Sequence, residues 1–304
     1  MTKIKINAPS VPLPDDKEEI IALWLMIFKD SQDFVDLFFS RVYKSENTLV
    51  VKASYDSQTK DGEKERIIAA LQMIPYQIKC GDNILPAAYI CGVCTHPAER
   101  NKGIMKALMT EAMEVMRSRG YVVSLVIPAE PWLFDFYRKF GFTLPVNERI
   151  SQYSLLSREE LQSVSFHECT SEHFYYFDRK QRERPCAVLH HAHDYTTILQ
   201  ELRAEGGNAY IMFKENEPVG MAFVAQITNK SLIIKELFYE TAEDITILTG
   251  YILRQYENAC LSIRLPSKAA IQCPTEVYPY GLACLLDPYS KNDLSDLYMT
   301  LMLD

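Results

Sequence analysis

Between Ile90 and Met105 the chain leaves an apolar, strand-like run, crosses Thr95-His96-Pro97-Ala98-Glu99-Arg100-Asn101-Lys102, and enters a helical pattern at Gly103. A strand joined to a helix by so short a loop obliges the helix to pack back on the sheet, which sets a layered α/β arrangement. It also aims the start of the helix at the end of the strand. The first N–H groups of a helix have no internal acceptor and lie at the positive end of its dipole. A phosphate can accept several of them together. Gly103 permits close backbone approach, and Arg100 and Lys102 add positive charge beside it. The residues Arg100, Asn101, Lys102, Gly103, Ile104 and Met105 therefore form a candidate pyrophosphate loop. Arg-x-x-Gly alone does not distinguish such a loop from an ordinary helix start flanked by charged residues.

The rest of the chain supplies the layers. Ile20, Ile21, Trp24, Leu25 and Phe28 recur at helical spacing, so a helix is expected over 15–28. A second is expected over 31–42, with Ser31 as its N-cap. Strand-like runs cover 48–55, 66–78 and 84–94, and the charged stretch 56–66 reads as a solvated hairpin loop. A helix over 102–119 stops at Gly120, and 122–127 is an apolar run of buried-strand type. Pro131 opens a helix that ends at Gly141. One further strand and a last one over 152–156 complete this half. At 304 residues, and about 150 per domain, two domains are expected, divided as 1–157 and 158–304. The second part repeats the element order: a helical stretch over 186–204, strands over 209–213, 218–227 and 232–239, a helix over 242–256, and strands over 259–264 and 297–303. A repeat this long implies duplication of a whole domain. The expected fold is α/β (α+β), each half a mixed central sheet flanked by helices.

At the 95–105 junction the chain resembles the GNAT superfamily of N-acetyltransferases, whose pattern there is Arg/Gln-x-x-Gly-x-Gly/Ala. Arg100-x-x-Gly103 matches, and Met105 stands where that pattern has a small residue. Thr95-His96-Pro97, followed by Arg-x-x-Gly-Ile and then Lys106-Ala107-Leu108-Met109, is most similar to the Eis-type branch (enhanced intracellular survival acetyltransferases). Bulky residues are usual at the last motif position in that branch. A second landmark, Phe136-Tyr137-Arg138-Lys139-Phe140-Gly141-Phe142, follows at the family's distance. The resemblance covers most of 23–156 by motif and order, and the second half by element order only.

The resemblance implies two tandem GNAT-like halves, the first catalytic and binding acetyl-CoA, the second degenerate. Eis-type enzymes end in a sterol-carrier-protein-like third domain, for which this chain has no room. In the family, the strand before the loop splays from its neighbour and pairs its backbone with the pantetheine arm, a role that falls on Val93, Cys94 and Thr95. A tyrosine at the place of Tyr137 protonates the departing CoA thiolate. The residues alone leave open a core tyrosine packed beside Phe136 and Phe140. Eis-type enzymes use the chain's terminal carboxylate as general base, which by position is that of Asp304. The implied reaction moves an acetyl group from acetyl-CoA directly to a primary amine of a small molecule or peptide. The alternative is a catalytically weak or inactive acyl-CoA-binding protein. A nucleotide-phosphate module is disfavoured, since neither G-x-x-x-x-G-K-[ST] nor G-x-G-x-x-G lies near the loop.

Composition narrows the partners. A formal charge of −8 argues against a nucleic-acid partner and suits a cationic amine. No apolar run approaches the roughly 20 residues of a membrane span, and the N-terminus has no apolar signal region, so a cytoplasmic protein without a membrane partner is expected. No metal is expected. Cys91-x-x-Cys94 falls within a strand and has no second ligand pair, and His190-His191-x-His193-Asp194 reads as a solvated helix with a polar end. The eight cysteines read as reduced core thiols. In the second half the equivalent junction is Glu240-Thr241-Ala242-Glu243-Asp244, whose acids would repel a pyrophosphate. That half is expected to shape the acceptor cleft instead.

Overall fold

The computed structural model describes residues 4–55, 64–153, 164–256, 259–268, 275–287 and 292–302. The first part of the chain forms β1 (Ile4–Ile6), α1 (Lys17–Ile27), α2 (Gln32–Arg41), β2 (Thr48–Tyr55), β3 (Lys64–Cys80) and β4 (Asn83–Thr95). There follow α3 (Ile104–Ser118), β5 (Val123–Val126), α4 (Pro131–Arg138) and β6 (Leu144–Tyr153). The second part comprises β7 (Val164–Glu168), α5 (Phe174–Glu183), β8 (Cys186–Leu189), α6 (Ala192–Ala204), β9 (Asn208–Lys214), β10 (Glu217–Thr228) and β11 (Ser231–Tyr239). It ends with α7 (Ala242–Gln255), β12 (Cys260–Pro266) and β13 (Thr275–Leu285).

Among the described residues thirteen strands join in one sheet along the path β1-β2-β3-β4-β5-β13-β6-β12-β11-β10-β9-β7, with β8 pairing to β3 beside it. Two ladders are parallel, β4 with β5 and β11 with β12, and each is bridged by a crossover helix, α3 and α7 respectively. They occupy matching places in the two halves. The strand β13 lies between β5 and β6 and is antiparallel to both, so a strand late in the chain fills a place in the sheet of the first half. The halves are also tied through α2 and α6, where Arg41 donates from Nε to Thr197 Oγ1 (3.0 Å) and from an η nitrogen to Thr196 Oγ1 (3.1 Å).

The helices cover the sheet by their apolar stripes. Ser31 caps α2 by accepting from Phe34 N–H, as its sequence position suggests. On α3, Ile104, Leu108, Met109, Ala112, Met113 and Met116 are buried at helical spacing against β2, β3 and β4. A side chain of that size stabilises the fold by about 1.5–3 kcal/mol when fully buried. On the opposite face α1 and α2 bring Trp24, Phe34, Phe38 and Phe39 into one aromatic cluster.

Several expectations need correction. The stretch 186–204 is not one helix: Cys186-Ala187-Val188-Leu189 is a fully buried strand against β3, and α6 begins after His191. A four-residue apolar run carries too little periodicity to tell strand from helix. His190 is not solvated. It is buried, with Nε2 at 2.7 Å from Thr300 O, and burial lowers its pKa. The expected strand over 297–303 is absent among the described residues, and Tyr298 makes only an isolated parallel bridge to Ala187. Its apolar residues Leu297, Tyr298, Met299, Leu301 and Met302 are buried as packing. The strand after Gly141 and the start of the run over 152–156 are one strand, β6, and 154–156 lie outside the described residues, as do 56–63 of the charged loop. Seven of the cysteines are described, all as free thiols, and Cys260 is exposed rather than in the core.

Candidate functional site

Parallel pairing of β4 with β5 runs from Ala87↔Val123 to Ile90↔Val126 and stops. Beyond it β4 stays paired with β3 as far as Ala69↔Thr95. One backbone edge of 91–95 is therefore open. The register between Ala70↔Cys94 and Gln72↔Cys91 leaves one extra residue on β4, a bulge at Gly92 and Val93. Gly92 takes φ +59° there. Strand alternation then sorts the three residues expected to face the pantetheine arm. His96 N–H turns to β3, bonding Ile68 O at 2.7 Å, so the backbone groups of Thr95 turn to the open side, where Thr95 O accepts from Arg100 Nε at 3.3 Å. Val93 shares that side by alternation. Cys94 faces β3, and its buried thiol is pushed up to about 12.

The loop after β4 is held by its own side chains. His96 Nδ1 accepts from Ala98 N–H at 3.2 Å, and burial together with Arg66 lowers the pKa of the ring, in keeping with an acceptor nitrogen. Glu99 is buried and receives Lys102 Nζ at 2.8 Å. Asn101 and Gly103 both adopt left-handed backbone, φ 65° and 78°. Gly103 is the N-cap of α3, and Ala107 N–H makes the first four-back bond, to Gly103 O at 3.1 Å. The N–H groups of Ile104, Met105 and Lys106 precede that bond and project along the helix axis. No atom lies within 4 Å of where a Cβ on Gly103 would sit. Thr95 Oγ1 is buried and has no hydrogen-bond partner. Open space before a helix start, exposed Arg100 and Lys102, and an unpaired buried hydroxyl fit a diphosphate-bearing ligand.

Beyond the bulge lies a cavity of about 350 Å³. Its floor is Tyr89 to Val93, and the outgoing end of β5 adds Ile127 and Ala129. Trp24, Phe28 and Phe34 wall one side, and Leu133 and Tyr137 the other. Two carboxylates line it, Asp30 from the link between α1 and α2 and Glu205 from the end of α6 in the second half. Asp30 Oδ2 accepts from Trp24 Nε1 at 2.7 Å, which fixes the indole. Tyr137 is buried on α4, with its ring against Phe136 and Phe142 at 5.2 and 5.9 Å between centroids. Burial, and secondarily the neighbouring Cys91 thiol, raise its pKa. The phenol therefore stays protonated at neutral pH and can deliver a proton into the cavity. Asp304 lies outside the described residues. Trp24, Phe28, Phe34, Asp30 and Glu205 were not singled out from sequence as site residues. Trp24 and Phe28 read there only as positions of a helical repeat, Phe34 falls within the expected second helix, and Glu205 carries no motif.

Residues 13–144 match the family model of the acetyltransferase (GNAT) domain. This part of the chain is a GNAT acetyltransferase domain. GNAT domains take an acyl-CoA as co-substrate and pass its acyl group to an acceptor, so residues 13–144 are an acyltransferase domain. Solved structures share the fold over nearly the whole chain. A GCN5-related N-acetyltransferase from Anabaena variabilis aligns at a TM-score of 0.72 and 13% identity, covering 94% of this chain and 73% of that one. Eis1 from Mycobacterium abscessus aligns at 0.63 and 12%, covering 94% and 74%. A tandem GNAT protein from the clavulanic acid biosynthesis pathway aligns at 0.51 and 12%, covering 95% and 100%. No curated protein sequence matches the chain.

The second half has its own parting of parallel strands. There β11 and β12 pair from Ser231↔Cys260 to Ile234↔Ile263 and then separate, around a cavity of about 390 Å³ lined by Phe238, Leu265, Arg184 and Tyr298. Some of the polar groups around it pair with one another. Lys235 O accepts from Thr300 Oγ1 and Leu237 N–H donates to Glu236 Oε1, both at 2.9 Å. Arg184 pairs with Glu236 and stacks on Tyr298, 4.5 Å to the ring centroid. At the start of α7, Thr241 and Asp244 cap each other's backbone in a capping box. Here the Asp244 N–H is taken by Thr241 Oγ1, and the carboxylates of Glu243 and Asp244 stand at the helix start, where the first half has Arg100 and Lys102 beside Gly103. Among the described residues no group of three or more His, Cys, Asp or Glu is arranged to hold a metal ion, and no helix is long and apolar enough to cross a membrane.

Proposed function

We propose that the protein is an N-acetyltransferase that moves the acetyl group of acetyl-CoA directly to a primary amine of a small molecule or peptide. The observation that carries this reading is that the open edge at Val93, the Tyr137 ring and an aromatic-walled cavity adjoin one another. In this account the diphosphate rests on Arg100, Asn101, Lys102 and the N–H groups that follow Gly103. The pantetheine arm runs along Val93 and Thr95, beside Cys94, and the thioester reaches the cavity. A backbone N–H on the open edge receives the developing oxyanion, and Tyr137 returns a proton to the departing thiolate. Holding amine and thioester together supplies much of the rate. The catalytic half is taken as 1–157. The half 158–304 contributes Glu205 and closes the acceptor side.

The acceptor is read as cationic because the two carboxylates at the cavity, Asp30 and Glu205, come with aromatic walls that favour an ammonium over their faces. Steady-state kinetics with a diamine and a neutral monoamine of equal length test this. Glu205→Gln should raise KM for the diamine several-fold and leave the monoamine unchanged. Equal effects on both would remove Glu205 from acceptor binding. The terminal carboxylate of Asp304 is the proposed general base. Adding two residues after it should cut kcat sharply without lowering Tm, since each residue can carry the carboxylate up to about 3.3–3.6 Å away. Full activity in the extended chain would exclude it.

A further inference from the structure

Cys80 ends β3 and Cys186 begins β8, and the two are direct register partners across the antiparallel ladder. Gly81 N–H donates to Pro185 O at 2.9 Å, which makes 81 and 185 a hydrogen-bonded pair. Alternation makes the adjacent pair, 80 and 186, a non-hydrogen-bonded one. The carbonyl of Cys186 agrees: it points to the other side and accepts from Tyr298 N–H at 3.0 Å. Non-hydrogen-bonded partners have the closest side chains in a sheet, with Cα atoms about 4.5 Å apart. A disulfide spans Cα separations of about 4.4–6.8 Å. Among the described cysteines these two are the one register-matched pair on neighbouring strands. They sit at the join between the halves, beside a cavity of about 350 Å³ lined also by Asn83, Pro185 and Ser295.

We propose that Cys80 and Cys186 form a reversible disulfide that staples β3 of the first half to β8 of the second, made by exchange with a low-molecular-weight disulfide such as oxidised glutathione. The two thiols differ in a way that orders the steps. Cys80 is partly exposed, and its thiol donates to Asp293 O at 2.9 Å. Cys186 is buried, and burial, with Cys80 beside it, raises its pKa. Cys80, as thiolate, attacks one sulfur of the external disulfide, and the other sulfur leaves as a thiolate. Cys186 then loses its proton and attacks the Cys80 sulfur of the mixed disulfide, expelling the second external thiolate. Two protein thiols are oxidised by two electrons, one external disulfide is reduced to two thiols, and the two protein protons end on them.

The experiment incubates the full chain in oxidised and in reduced glutathione, alkylates the remaining thiols, maps peptides by mass and records Tm. Oxidised protein should yield the peptide joining Cys80 to Cys186. Its Tm should rise by about 5 °C or more, because the link closes a loop of over a hundred residues. Dithiothreitol should reverse both changes, and Cys80→Ser should prevent both. Cys186→Ser should stop at glutathione held on Cys80. If Cys186→Ser does not fold, Cys80→Ser at the more exposed partner still decides the matter. The proposal is overturned if both thiols remain alkylatable in oxidised glutathione, or if the wild type keeps glutathione on Cys80 with Cys186 free.

Discussion

A Cβ placed on Gly92 would lie 2.3 Å from Cζ3 of the Trp24 indole. The bulge in β4 and the first helix are thus fitted to each other at van der Waals contact. The indole is held in turn by Asp30, so its position is set from two sides. This contact sits just past the point where β4 departs from β5, at the floor of the cavity.

Gly92→Ala should therefore damage both stability and turnover. The left-handed backbone costs a non-glycine residue about 1–2 kcal/mol, and forcing the ring aside adds about 1–3 kcal/mol of overpacking. Denaturant unfolding should show a loss of about 2–5 kcal/mol, with kcat reduced in the fraction that stays folded. A loss below 1 kcal/mol would mean that α1 moves freely relative to the bulge.

Gly103→Asp tests the phosphate loop separately from the fold. The position is exposed and open, so the substitution meets no clash and costs about 1–2 kcal/mol for the positive φ. A carboxylate at the helix start would oppose a diphosphate directly. Calorimetric titration should show CoA affinity reduced by a hundredfold or more, with Tm lower by only a few degrees. Unchanged affinity would end the diphosphate assignment.

Tyr137→Phe removes only a hydroxyl from a buried ring. Turnover should fall by about 10²–10⁴, the range of a general acid, while the Kd for CoA stays within twofold. Burial both keeps this phenol protonated and weakens it as an acid, so activity should not titrate with Tyr137 anywhere between pH 6 and 9. Equal activity in the variant would return Tyr137 to a packing role.

Glu236 gives a stability effect with a definite sign. Burial pushes its carboxyl up from 4.5 to about 7, against the pull of Arg184. In the folded protein it keeps a proton that the unfolded chain has already lost. Its contribution is therefore complete below about pH 4.5 and is lost as pH rises through about 7. Urea unfolding at intervals between pH 4.5 and 7.5 should show a stability component that declines across that window. In Glu236→Gln that component should vanish. The slope rather than the absolute stability is the readout, because glutamine also changes the contact with Arg184.

Much of the first half was legible because its signals are local. The loop between β4 and α3 carries its own glycine, charges and flanking periodicities, and Ser31 stands directly before its helix. The place of β13 was not legible. Its partners on β5 and β6 lie more than a hundred residues earlier, and Pro279 and Gly281 interrupt its strand pattern at a register shift. The segment around Tyr298 misled in the opposite direction. Its apolar content serves packing under β8 and a single bridge, and nothing in its periodicity reports that. The same holds for the site. Arg100 and Gly103 belong to one contiguous motif. Trp24 and Asp30 meet Glu205 at one cavity from two segments far apart in the chain, and only the fold brings them together.

The most direct test of the account is amine-dependent release of CoA from acetyl-CoA, followed with a thiol reagent across a panel of primary amines and paired with mass detection of the product. The account predicts that at least one cationic primary amine accelerates release, that the N-acetyl amine appears in equal amount, and that Tyr137→Phe suppresses both. Binding of acetyl-CoA with no amine-dependent release across the panel, or release without an acetylated amine, would contradict it.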